Sequence, residues 1–163
     1  MDVLRRNNVK VSGEGSRPIV FAHGFGCDYK AWSAIAPDFE ADCRVVLFDH
    51  VGAGGSDLSA YDSVKYATFD GYVSDALEVM DALHLQDAIF VGHSAHREDV
   101  PKCPTLTLVL QTQADVIAPV EVGHYMHRHL PRSDLVLMQA SGHCPHMSAP
   151  EETKAAIRGF LER

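Results

Sequence analysis

Three short apolar runs stand out along the first half of the chain: residues 18–23 (PIVFAH), 44–49 (RVVLFD) and 88–93 (AIFVGH). Each is rich in β-branched and aromatic residues and lacks polar alternation, the pattern of a strand covered on both faces. They are expected to be three central strands. Between them, residues 29–39 and 72–85 carry apolar positions at helical spacing, and in the second Val73, Ala76, Leu77, Met80 and Leu83 line one predicted face. Further on, residues 105–111 and 134–139 read as strands, and residues 120–130 and 151–161 as helices, the last opening after Ala149-Pro150. Strands alternating with crossover helices predict an α/β class with a mostly parallel central sheet flanked by helices. No repeat, low-complexity tract or linker divides the chain, so a single domain over residues 1–163 is expected.

Composition narrows the partners. The 163 residues are 46% hydrophobic and 22% charged, enough to bury a core, and the formal net charge is −8. That balance disfavours phosphate-backbone binding and anionic membrane surfaces, so neither nucleic acid nor membrane is an expected partner. The first residues, Met1 to Asn8, lack the apolar core of a signal peptide, and no segment sustains the roughly 18 apolar residues of a membrane span. A cytoplasmic location is the expectation. Cys27, Cys43, Cys103 and Cys144 form no C-x-x-C pair and read as reduced thiols.

Reacting groups in open α/β sheets collect at the carboxyl ends of strands, and three candidates fall there. Ser94 ends the run Ile89-Phe90-Val91-Gly92-His93-Ser94, the approach to a nucleophile elbow, although the fifth position of Gly-X-Ser-X-Gly is His96. Asp115 follows the strand at 105–111, and His143 follows the strand at 134–139. A serine hydroxyl is a poor nucleophile alone; His143 would take its proton, and Asp115 would set the imidazole tautomer. The oxyanion that develops needs two N–H donors, and Phe25 in His23-Gly24-Phe25-Gly26, with Ala95, is the candidate pair.

Separately, each residue has a plainer reading: Ser94 a strand cap, Asp115 a turn former, His143 a loop histidine, Phe25 an apolar plug. Their joint order favours the catalytic set. His124, His127 and His129, with His143 and His146, raise metal binding, yet no cysteine or carboxylate joins them at ligand spacing, and a solvated helix face is the preferred reading. Gly52, Gly54 and Gly55 evoke a dinucleotide loop whose third fingerprint position is instead Asp57; after Gly24 and Gly26 that position is Tyr29.

These motifs carry a resemblance. His23-Gly24-Phe25-Gly26-Cys27-Asp28, Arg44-Val45-Val46-Leu47-Phe48-Asp49-His50-Val51-Gly52 with Ser56-Asp57-Leu58, and Phe90-Val91-Gly92-His93-Ser94 are followed by His96-Arg97-Glu98-Asp99, Ala114-Asp115-Val116-Ile117-Ala118-Pro119 and Gly142-His143-Cys144-Pro145-His146-Met147-Ser148. In that order they resemble the α/β-hydrolase family, in particular its lid-bearing subgroup of RsbQ-type stress-signalling hydrolases and plant strigolactone and karrikin receptors. The resemblance implies a serine esterase or lactonase for small apolar esters, with no metal or organic cofactor and with a regulatory protein as a further partner. It also implies a truncated hydrolase core without a lid domain: the family's helix, strand and lid after the serine have no counterpart, and the connection at 95–104 is close to the minimum for a parallel crossover. The junction is expected near residues 94–96. A lost strand would leave an exposed sheet edge, through which a homodimer could form. The alternative expectation is a catalytically impaired core serving as a binding or signalling module or a minimal engineered scaffold.

Overall fold

The computed structural model describes residues 2–93 and 106–162, and the chain divides into two compact units, Met1–Ser94 and Ala95–Arg163. The first unit opens with a one-turn helix, α1 (Val3–Arg6), followed by β1 (Lys10–Ser12), β2 (Arg17–Ala22), β3 (Cys43–Phe48), α2 (Asp70–Ala82) and β4 (Ile89–Gly92). Its four strands form one sheet in the order β1-β3-β2-β4. β2 pairs in parallel with β3 and with β4, Val20 lying opposite Val46 on one side and Phe90 on the other. β1 runs antiparallel to β3.

β3 and β4 flank β2 on opposite sides, so the strand order reverses at β2. Such a switch point opens a crevice beyond the carboxyl ends of the two diverging strands, and here it sets the loop after β2 beside His93. The pleat divides the buried residues of the sheet between two faces. On one, Phe21 packs against Trp32 and Phe39 at ring-centroid distances of 5.2 and 6.0 Å. On the other, Val20, Ala22, Val46 and Phe48 pack against Ala76 and Val79 of α2.

Three expectations are corrected in this unit. Residues 29–39 form two 3₁₀ turns, Tyr29–Trp32 and Ala36–Phe39, in place of one crossover helix. Pro37 supplies no N–H, and the bonds that do form, Ile35 to Trp32 and Asp38 to Ile35, span three residues. The apolar spacing still works, because Trp32, Ile35, Ala36 and Phe39 are all buried.

Second, the inward face of α2 is only partly the expected one: Ala76, Met80 and Leu83 pack on the core, but Val73 and Leu77 are exposed and Asp75 and Val79 are buried in their place. Asp75 tolerates burial because Lys65 Nζ lies 2.6 Å and Arg6 Nη2 3.1 Å from its Oδ1, while Tyr66 donates to Oδ2 at 2.9 Å. A buried charge needs such partners. Third, β4 lies at the edge of this sheet, and Phe90 is half exposed.

The second unit pairs β5 (Thr107–Ala114) in parallel with β6 (Ser133–Ser141), joined through α3 (Val120–His129) and followed by α4 (Pro145–Ser148) and α5 (Pro150–Leu161). Val109 and Leu130 are buried with Met126 and Leu135 packed on them. Both strands outrun their predicted limits. β5 continues through Thr112 and Gln113 because ladder bonds are made by the backbone, and a register shift between Thr112 and Ala114 accommodates the end of the pairing. Glu152 of α5 accepts from the Gln139 and Ala140 amides of β6 at 2.6 and 3.1 Å. Among the described residues no helix is long and apolar enough to cross a membrane.

Candidate active site

Asp115 stands immediately beyond β5, and its carboxylate is oriented by its own turn. Oδ1 accepts the Ile117 and Ala118 amides at 2.8 and 2.9 Å, an Asx-type arrangement that fixes the side chain and turns Oδ2 elsewhere. Oδ2 meets His143 Nδ1 at 2.9 Å. A carboxylate can only accept, so Nδ1 carries the proton and Nε2 becomes the ring atom able to take one up. Burial raises the Asp115 pKa, but the Ala118 amide, His143 and the Ile117 amide together outweigh it and hold the carboxyl below its ordinary value. The acid is nearly enclosed, with 5% of its side chain exposed, and the imidazole keeps 24%.

His143 is delivered to this position by backbone chemistry that sequence reading missed. Gly142, with φ of +87°, turns the chain sharply after β6. Its amide donates to Ala114 O at 2.9 Å, and its carbonyl accepts the Thr112 hydroxyl at 2.7 Å. The end of β5 therefore holds both the acid and the turn that presents the base. The glycine before His143 was the available signal; the Thr112 contact, thirty residues away in sequence, had none.

In the first unit, β2 ends at Ala22 and the chain enters His23-Gly24-Phe25-Gly26. β4 is tied to the same point, since the His93 amide donates to Ala22 O at 3.2 Å. A Cβ on Gly24 would collide with the His93 ring, so this position requires glycine for close approach. Gly26 has open space around it and a φ of +77°, so there the requirement is conformational. The Phe25 side chain is fully exposed and does not plug a core. Ser94 and Ala95 lie outside the described residues.

The α3 histidines sit on a solvated helix face. His124, His127 and His129 are exposed along α3; His127 Nδ1 contacts Ser133 Oγ at 3.0 Å, and His129 Nδ1 bonds Tyr125 O at 2.8 Å. Cys27, Cys43 and Cys144 form no disulfide among the described residues, and Cys103 lies outside them. Another buried carboxylate was overlooked: Asp49, beyond β3, accepts from the Tyr29 amide at 2.7 Å and from Asn8 Nδ2 and the Gly55 amide at 2.8 Å each. It gathers the Gly52-to-Gly55 loop into a structural turn.

Two family models together span nearly the whole chain. Residues 17–95 match one described as alpha/beta hydrolase fold, and residues 90–163 match one described as TAP-like protein. A strigolactone esterase of Pisum sativum is 42% identical over 92 residues, covering 56% of this chain and 34% of that protein. A probable esterase of Oryza sativa subsp. japonica is 46% identical over 93 residues, 56% of this chain and 34% of its own length. The chain spans about a third of the length of these curated relatives. A hydrolase structure from Oleispira antarctica superposes with a TM-score of 0.93 at 23% identity, covering 99% of this chain and 97% of that one, a likeness of fold.

Proposed function

Given that the chain belongs to the α/β-hydrolase fold family, related to esterases and strigolactone hydrolases, we propose that it is a serine hydrolase of small, mostly apolar esters or lactones, working through an acyl-enzyme. The observation that carries this reading is the 2.9 Å hydrogen bond between His143 Nδ1 and the buried Asp115 carboxylate. It supplies an imidazole in the tautomer that a general base requires, with a carboxylate to stabilise the imidazolium.

Ser94 is the nucleophile in this scheme. Its hydroxyl proton passes to His143 Nε2 as Oγ bonds to the ester carbonyl carbon, and the negative charge on the carbonyl oxygen is met by the Phe25 and Ala95 amides. Collapse breaks the bond to the alcohol oxygen, which leaves with the proton from His143. Water then gives its proton to His143, attacks the acyl carbon and frees the acid and Ser94. With a lactone, acid and alcohol leave as one molecule.

A fluorophosphonate probe tests the reading together with hydrolysis of a short-chain aryl ester. Labelling and turnover in the intact protein, both lost in Ser94→Ala, are expected. Absence of labelling in protein whose circular dichroism shows it folded overturns the proposal. The elbow's fifth position, His96 in place of glycine, and the short connection at 95–104 favour a second reading, a core that binds a small ester or a regulatory protein without turning it over. Ligand-induced thermal stabilisation without product formation distinguishes it.

A further inference from the structure

The fully exposed Phe25 ring makes no packing contact that could hold its own peptide in place. Yet an oxyanion donor is useful only if its direction is set before the substrate arrives. The Gly24–Phe25 peptide is constrained from its other end. Gly24 O accepts from the Cys27 amide at 3.2 Å and lies 2.9 Å from His23 Nδ1. No cis peptide occurs among the described residues, so the Phe25 N–H points opposite to that carbonyl across a planar unit. Pinning the carbonyl therefore aims the N–H. Among the described residues that N–H has no hydrogen-bond partner.

The His23 ring can do this in one tautomer only. Gly24 O has no proton to give, so Nδ1 must donate; the His50 amide donates to Nε2 at 3.1 Å, so Nε2 must accept. Asp49 Oδ1 is 3.8 Å from Nε2, beyond hydrogen-bond distance, and accepts the Tyr29 amide. The ring is 3% exposed and meets His50 edge-on at 4.7 Å. Because His50 follows β3, the end of β3 sets the ring and the ring sets the loop after β2.

We propose that His23, held by the His50 backbone amide as its Nδ1–H tautomer, is a positioning residue that fixes the Gly24 carbonyl and thereby aims the Phe25 N–H at the oxyanion. The assignment rests on the hydrolase reading above for its purpose, and on the unit's own hydrogen bonds for its geometry. His23 does not touch substrate. It should influence the rate of acylation and leave ground-state binding nearly alone.

The test compares His23→Asn, whose side-chain amide can replace the Nδ1–H donor, with His23→Leu, which cannot donate. The expected result is a fall of about tenfold or more in kcat and in fluorophosphonate labelling rate for His23→Leu, a KM within about twofold of the parent, and recovery of most of the rate in His23→Asn. Equal losses in both variants, or a loss confined to KM, overturn the proposal. Nitrogen-15 spectra of the parent protein provide the readout that needs no activity: a protonated Nδ1 on His23 is expected, and a protonated Nε2 overturns the assignment. A parent that shows this tautomer but never labels refutes the hydrolase reading, leaving His23 as the anchor of an idle loop.

Discussion

Asp115 Oδ2 and His143 Nδ1 are joined at 2.9 Å, although 28 residues separate them in the chain. Two backbone amides on the other oxygen keep the carboxylate from rotating away. Asp115→Asn would retain the shape, while its amide group would face the ring and favour the opposite tautomer. The expected outcome is a loss of roughly 10³- to 10⁴-fold in kcat with KM little changed, measured by aryl ester hydrolysis. A loss under tenfold would show that this pair is structural.

Gly24 and Gly26 differ in what they exclude. Gly24→Ala would drive a methyl group into the His93 ring, and Gly26→Ala would strain a backbone at φ of +77° that has empty space around it. Both are expected to slow acylation. Gly24→Ala should also disturb the end of β4, so its effect on the amide resonances of Val91 and Gly92 should exceed that of Gly26→Ala. Equal disturbance of those resonances would contradict the close-approach argument.

Acid should weaken the first unit through His50. Burial first and the neighbouring His23 second bring its pKa from 6.5 down to about 4. The folded state therefore refuses a proton that the unfolded chain accepts below pH 6.5. Stability supplied by neutral His50 is complete above that pH and declines as pH falls to about 4, by up to about 3 kcal/mol at 1.36 kcal/mol per pKa unit. His50→Phe keeps the ring contacts with Phe48 and Tyr72 and removes the titration. Urea midpoints measured from pH 7 to pH 4 should fall less steeply in that variant.

Removing the Asp75 charge should be costly. Asp75→Asn leaves Arg6 and Lys65 beside a buried neutral amide, and breaking one side of a buried ion network typically costs about 3–5 kcal/mol. Denaturant titration is expected to show a lower midpoint with an unchanged slope. The Tyr66 hydroxyl, whose pKa is pushed up by burial and then by Asp75, should ionise more readily in the variant, visible as an earlier rise in tyrosinate absorbance.

The strands and helices were largely legible because burial of apolar side chains leaves a local periodic trace. Ile19, Val20 and Phe21 announce β2 within a few residues, and Trp32, Ile35, Ala36 and Phe39 announce an inward face even though 3₁₀ turns carry it. The inward face of α2 was legible at Ala76, Met80 and Leu83 and misread at its side, because Asp75 looks like a solvent position until Arg6, Lys65 and Tyr66 are placed around it. Strand ends were misread because backbone pairing continues past a change in side-chain polarity.

What the amino-acid order determined alone was the α/β alternation, the places where chemistry can collect at strand ends, and Asp115 and His143 as candidates for one assembly. Tertiary structure alone decided the tautomer that Asp115 imposes on His143, the partners that let Asp75 be buried, and the contacts of His23 with Gly24 and the His50 amide. The physical reason is range. Apolar burial repeats every two or three to four residues, whereas a buried polar group is satisfied by whatever donor folding brings within about 3 Å, and those donors come from segments 27, 28 or 42 residues away.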